Sequence, residues 1–159
     1  MTNMSTTIMT KLDDFHFKAT SNIEGNLSDL EGKYVILYFY PKDNTPGCTK
    51  ESKDFRDLHR AFEKFNTVVY GVSKDSLKSH EAFKEKLELP FDLISDADGA
   101  LCKLFKTNKT NPLLEMIAGI ERSTFLIDPQ GNLLYEWRKV KTTGHVEEVL
   151  KVLTNQVKS

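Results

Sequence analysis

The chain has 159 residues, enough for one domain with a sizeable core. Lys plus Arg is 22 and Asp plus Glu is 23, a formal net charge of -1, so nothing in the balance points to nucleic acid or an anionic membrane surface. No apolar run approaches the roughly 20 residues of a bilayer span, and two cysteines cannot build a disulfide framework in a chain this size.

The opening run MTNMSTTIMTK, residues 1–11, lacks the apolar core of a secretory signal. It reads as a flexible tail ahead of a single domain over residues 12–159, with a cytoplasmic location as the default. Phe15, Phe17 and Ala19 alternate with polar residues and predict a short strand or hairpin arm. Leu27-Ser28-Asp29-Leu30 fits one helical turn. Tyr34 to Tyr40 is a continuous β-favouring run, as in a strand covered on both faces, and Pro41 ends it because proline cannot donate to a ladder. Asp43-Asn44-Thr45-Pro46-Gly47 has turn chemistry, and Cys48 follows at once. Phe55, Leu58, Phe62 and Phe65 then recur at helical spacing, which predicts one helix to about Phe65.

Thr67 to Ser73 is a second buried strand. Asp75 and Ser76 can cap a helix carrying Leu77, Phe83 and Leu87, which Pro90 ends. Phe91 to Ile94 is a short third strand, and Asp96 to Gly99 leads into a helix with Leu101, Leu104 and Phe105 on one side. Lys106 to Pro112 is a polar loop, and Leu113 to Ile120 is apolar without an assignable pattern. Ser123–Ile127 and Asn132–Trp137 form a hairpin around Asp128-Pro129-Gln130-Gly131. Past Gly144, the residues Val146, Val149, Leu150 and Leu153 give a final amphipathic helix. Alternating strands and helices imply an α/β fold with parallel strands under helical cover, and the hairpin adds antiparallel ones. The plan is a thioredoxin-like sandwich, a central mixed sheet with helices on both faces.

That plan sets Cys48 in the first turn of a helix, above the carboxyl end of a central strand. The amides of a first turn have no intrahelical partner, and their partial positive charge favours a thiolate. Ligands of open α/β sheets also gather at the carboxyl ends of strands. A lone cysteine in such a chain is otherwise more often a small buried residue, so its neighbours decide.

Those neighbours carry a family resemblance. Pro41-x-x-x-Thr45-x-x-Cys48 matches the active-site pattern of the peroxiredoxins. The longer run from Tyr38 to Glu51, YFYPKDNTPGCTKE, resembles the bacterioferritin-comigratory-protein subgroup, also called the Q subgroup. Gly119 to Asp128, GIERSTFLID, is similar to the same subgroup, as are Asn26 to Leu30 and Ser95 to Asp98. The resemblance covers nearly all of the chain after about residue 12. It implies a thiol-dependent peroxidase that uses no metal or organic cofactor. Cys48 would be the peroxidatic nucleophile that becomes a sulfenic acid, and Arg122 the permanent cation beside it. Thr45 would hold the peroxide in line with the sulfur, and Pro41 would shield the site. Taken singly, Thr45 is also an ordinary turn residue, Pro41 a strand terminator and Arg122 a surface ion-pair partner. Glu51 either ties down Arg122 or serves the helix start.

Two departures matter. The subgroup often carries a resolving cysteine five residues after the first, where this chain has Lys53, or on the next helix, where Ser76 to Leu87 has none. The second thiol, Cys102, could resolve Cys48 if its helix exposed it and brought the two Cα atoms within about 7 Å, but it sits among apolar residues as a small core side chain would. A one-cysteine cycle resolved by an external thiol is therefore expected, from thioredoxin, glutathione with glutaredoxin, or a low-molecular-weight thiol, acting on a monomer or weak dimer. Hydrogen peroxide and organic hydroperoxides are the implied substrates. Lys106 to Ile117, expected to border the pocket, also departs from the subgroup's text.

Other readings fit less well. A thiol–disulfide oxidoreductase needs C-x-x-C, and Thr49-Lys50-Glu51 follows Cys48. A cysteine hydrolase needs a histidine partner, but His16, His59, His80 and His145 are scattered and lack zinc spacing. The phosphate-loop pattern is absent. A thiol-based redox sensor or a binding module on the same fold is the alternative.

Overall fold

The computed structural model describes residues 5–108 and 119–158. Their order is β1 (Ser5–Lys11), β2 (His16–Ala19), β3 (Ile23–Asn26), a 3-10 turn (Leu27–Leu30), β4 (Tyr34–Phe39), α1 (Pro46–Asp57), α2 (His59–Lys64) and β5 (Thr67–Ser73). Then come α3 (Leu77–Leu87), β6 (Asp92–Ser95), α4 (Ala100–Leu104), β7 (Ser123–Ile127), β8 (Asn132–Arg138) and α5 (His145–Lys158). One sheet joins all the strands in the order β1-β8-β7-β4-β5-β6-β2-β3. Pairs β4/β5 and β5/β6 are parallel and the others antiparallel, the mixed sheet the sequence predicts.

Strand β4 divides the core because its side chains alternate. Ile36, Tyr38 and Tyr40 join Phe55 of α1, Phe62 of α2, Phe83 of α3 and Val149 of α5 on one face. Val35, Leu37 and Phe39 join Leu27 of the 3-10 turn and Leu101, Cys102 and Phe105 around α4 on the other. Tyr38 stacks on Phe55 with ring centroids 4.5 Å apart, and its hydroxyl lies 2.9 Å from Ser52 Oγ, which fixes α1 against the sheet.

The structure corrects three expectations. Residues 5–11 are not a loose tail: Ser5–Lys11 pairs antiparallel with β8 and so covers a sheet edge that would otherwise present unpaired amides. Residues 1–4 lie outside the described residues. The helix expected to run to Phe65 is broken at Leu58, whose φ of -101° and ψ of 7° leave the helical region. Leu77 and Leu104 are exposed, and Cys102 is buried in Leu104's expected place beside Leu101 and Phe105. Most of Leu113 to Ile120 lies outside the described residues; Ile120 itself is buried.

Gly71 of β5 pairs with Tyr38 of β4 and Leu93 of β6. A Cβ there would stand 2.7 Å from Leu93 Cδ2 and 2.7 Å from Tyr38 Cζ, so the close approach requires glycine. Gly71→Ala should lower stability by about 1–3 kcal/mol in urea unfolding; an unchanged midpoint would mean that Tyr38 and Leu93 yield freely.

His145 opens α5, fully buried edge-on to Trp137, with Nε2 2.7 Å from Thr124 Oγ1. Burial, aided by the Arg122 charge, lowers its pKa from 6.5 to about 4. The unfolded ring binds its proton at the higher pH, so this contribution is complete above about 6.5 and is lost as pH falls through about 4. The loss should reach roughly 3 kcal/mol. Urea unfolding of His145→Gln should show a flatter pH dependence than wild type over that window. Parallel curves would show that the ring does not titrate with folding.

Candidate active site

The antiparallel register brings the site together. Phe39 at the end of β4 pairs with Ser123 at the start of β7. The residue before β7, Arg122, therefore lies at the same end of the sheet as the loop that follows β4. That loop turns through Asn44 at φ 65°, and Thr45 takes an extended conformation as N-cap of α1. Pro46 is the first helical residue, where its missing N–H costs nothing. Cys48 is the third, so it sits in the turn whose amides lack intrahelical partners.

Cys48 is fully buried, and its sulfur accepts a hydrogen bond from Arg122 Nη2 at 3.3 Å. Arg122 Nη1 donates to Glu51 Oε1 at 2.7 Å. The guanidinium fork thus spans the sulfur and the carboxylate, a geometry lysine cannot copy. Gly47 makes room for it, since a Cβ there would lie 3.0 Å from Arg122 Nη2. Among the described residues Glu51 Oε2 has no hydrogen-bond partner.

Burial pushes the Glu51 carboxyl up to about 7, with Arg122 holding it back. Burial also opposes the charge of Arg122, but Glu51 and then Cys48 outweigh it and raise its pKa above the usual arginine value. The partners differ because the Glu51 side chain is fully enclosed while 16% of the Arg122 side chain stays exposed. One cation thus serves two potential anions, the thiolate and the carboxylate.

The remaining predicted residues fall as follows. Thr45 is half-buried, and its hydroxyl donates to the Lys42 carbonyl at 2.8 Å, leaving oxygen lone pairs free to accept. Pro41 is exposed at the start of the loop. Tyr40 is a core residue whose hydroxyl donates to Asp43 Oδ1 at 2.6 Å. Cys102 lies in the core cluster on the other face of the sheet from Cys48. Burial pushes its thiol up to about 12, and its backbone N–H donates to Asp96 Oδ2.

The histidines are engaged away from Cys48: His16 with Glu24 and Asn26, His59 with Glu63, His80 with Asp43, and His145 with Thr124. Residues 109–118, most of the segment expected to border the pocket, lie outside the described residues. Sequence reasoning missed Gly47 as a packing requirement and missed the buried partners of Asp43. The available signal for Asp43 was an acidic residue in a turn, which reads as turn chemistry alone.

Comparison with known proteins agrees with this geometry. The family model described as the AhpC/TSA family matches residues 8–136. Peroxiredoxin Bcp of Bacillus subtilis is 48% identical over 151 residues, covering 94% of this chain and 96% of that protein. A putative peroxiredoxin bcp of Coxiella burnetii is 52% identical over 126 residues, covering 79% of this chain and 83% of that protein. Among solved structures, the bacterioferritin comigratory protein of Xanthomonas campestris, studied for its alkyl peroxide reduction activity, superposes with a TM-score of 0.84 at 40% identity, over 90% of this chain and 92% of that one. The chain therefore belongs to the AhpC/TSA family, as a peroxiredoxin of the bacterioferritin-comigratory-protein and Q group, and its activity is that of a thiol-dependent peroxidase.

Proposed function

We propose that the chain reduces hydrogen peroxide and organic hydroperoxides by a one-cysteine cycle at Cys48. The observation that carries this reading is the Arg122 fork, which reaches the Cys48 sulfur and Glu51 together. Cys48 as thiolate attacks the nearer peroxide oxygen, an S–O bond forms, and the O–O bond breaks. The leaving oxygen departs with the electron pair of that bond and takes a proton, giving water or an alcohol and a Cys48 sulfenic acid. Arg122 stabilises first the thiolate and then the negative charge growing on the leaving oxygen. Thr45 holds the peroxide in line through its free lone pairs, and Pro41 keeps the loop mouth closed to bulk water. Glu51 orients Arg122.

The sulfenic acid is resolved by an external thiol. That thiol displaces water to form a mixed disulfide, and a second thiol releases Cys48 as the sulfhydryl. Thioredoxin, glutathione with glutaredoxin, or a low-molecular-weight thiol can each supply both. Cys102 is the poorer candidate because the sheet separates its core cluster from that of Cys48. A disulfide needs Cα atoms within about 7 Å, which this placement would reach only by extensive unfolding. The likeness to a structure studied for alkyl peroxide reduction favours organic hydroperoxides among the substrates. We further propose one domain, extended by β1 beyond the expected start at residue 12, working in the cytoplasm as a monomer or weak dimer. No helix among the described residues is long and apolar enough to cross a membrane.

A redox sensor is the second reading, favoured by the absence of a second cysteine from the Cys48 face among the described residues. Sustained turnover with a reductant distinguishes the two, since a sensor stalls after one oxidation.

Peptide mapping after one equivalent of hydrogen peroxide should find sulfenic acid at Cys48, trapped by a dione reagent, in wild type and in Cys102→Ser alike. A Cys48–Cys102 bridge in wild type would make Cys102 the resolving thiol, and no rapid oxidation at Cys48 would sink the peroxidase cycle. Arg122→Lys keeps the charge but loses the fork, and stopped-flow peroxide reduction should slow by about 100-fold. A loss under threefold would mean that charge alone suffices.

A further inference from the structure

The loop that carries Pro41 and Thr45 is fastened from beneath by a buried charged network that the peroxide chemistry does not itself use. Asp43 is at its centre, buried, and His80 of α3 is fully enclosed. The Asp43 carboxylate accepts from Tyr40 Oη at 2.6 Å, from Ser79 Oγ at 2.8 Å and from His80 Nδ1 at 2.8 Å. The Asp43 backbone N–H donates to Asp75 Oδ2 at 2.9 Å, an oxygen that also accepts from Ser73 Oγ at 2.6 Å. The second ring nitrogen of His80, Nε2, lies 3.0 Å from the carbonyl oxygen of Ile94 in β6. The loop is thereby tied to the ends of β5 and β6 and to the first turns of α3.

The partners of the pair are acceptors on every side of the ring. A carbonyl oxygen only accepts, and so does an ionised carboxylate. Burial works against ionised Asp43, but the bonds from His80, Tyr40 and Ser79 outweigh it and lower its pKa below the ordinary value. The two ring nitrogens of His80 thus face a carboxylate on one side and a backbone carbonyl on the other. Each half of such a pair is costly to bury without the other, so the two residues stay together.

The loop needs an external hold. Asn44, next to Asp43, has φ 65°, a left-handed conformation that asparagine tolerates better than most residues but does not prefer. Thr45 follows as the helix N-cap. Asp43, held by His80, and the start of α1 thus bound Asn44 and Thr45 on either side. We propose that the buried Asp43–His80 pair is a latch that sets Thr45 over Cys48, which makes Asp43 and His80 positioning residues for the peroxide step. The inference rests on the peroxidase reading above.

Two reactions of the same sulfur separate positioning from bracing. Peroxide reduction needs Thr45 in place, whereas alkylation by iodoacetamide needs a reactive sulfur held by α1 and Arg122 and a path to it, but not Thr45. Both rates should be measured at Cys48 in a Cys102→Ser background, with urea unfolding alongside. His80→Gln can meet only one of its two acceptors. Its peroxide rate should fall about 10- to 100-fold, as a small displacement of a positioning group costs, while alkylation stays within about threefold. Asp43→Asn keeps one side-chain oxygen that can face His80 Nδ1 but loses the carboxylate charge and one acceptor. It should give a smaller fall of the same kind, and it serves as the measurement if His80→Gln does not fold. Lys84→Ala removes a different ion pair of α3, with Asp92, and should leave the ratio of the two rates at the wild-type value. Latch variants that lose stability with the ratio unchanged, or lose both rates equally, would overturn the inference. A parent protein that alkylates normally but ignores peroxide would instead sink the peroxidase reading itself.

Discussion

The contact between the Arg122 guanidinium and the Cys48 sulfur sets the terms for everything around it. A permanent cation held beside a fully enclosed sulfur interacts with far less screening than it would in water. The same enclosure makes the cation expensive unless an anion accompanies it, and the Cys48 thiolate and the Glu51 carboxylate are the two groups within its reach. Sulfur and carboxylate are one helical turn apart, at positions 48 and 51, so a single fork serves both. Gly47 belongs to the same arrangement, because a Cβ there would lie 3.0 Å from Arg122 Nη2 and crowd the fork.

The sheet makes this contact reproducible. Arg122 and Cys48 are far apart in the chain, but β4 and β7 are hydrogen-bonded neighbours. The backbone ladder therefore fixes the relative height of the cation and the helix start, and side chains add only the last adjustment. Tyr38 and Phe55 anchor α1 to the same strand that leads into the loop, so the helix cannot slide along the sheet without breaking a stacked aromatic pair. Positioning by backbone register leaves little freedom to be lost when substrate binds.

Much of this was legible in the sequence because it rests on short-range pattern. The β4 run, the proline stop, the turn and the following helix are contiguous, and each has a local physical cause. The family pattern then paired Cys48 with Arg122, which no periodicity could have done. What escaped reading depends on tertiary contact. Strand β1 forms because β8 has an open edge, and a Ser-Thr-rich run says little about that. Leu58 breaks the helix although its spacing fits the apolar stripe. Leu104 fits an apolar stripe and still faces solvent, because α4 is only one turn long and packs through Leu101 and Cys102. Asp43 and His80 each read as unremarkable, since a buried charge pair joins residues from separate elements and leaves no periodic trace.

The separation of the two thiols by the sheet has a chemical corollary. An enzyme that closes an internal disulfide ends its oxidised state by itself, at a rate fixed by its own fold. In the one-cysteine cycle proposed above, the lifetime of the oxidised sulfur is set instead by the thiol that arrives from outside. During that interval a second peroxide competes for the same atom and carries it to the sulfinic acid, from which ordinary thiols do not recover it. Survival of the site in that cycle rises with the ratio of reductant to peroxide, each weighted by its own rate constant. Such a cycle would make the protein a counter of oxidant excess, losing active sites while its surroundings are short of reducing power.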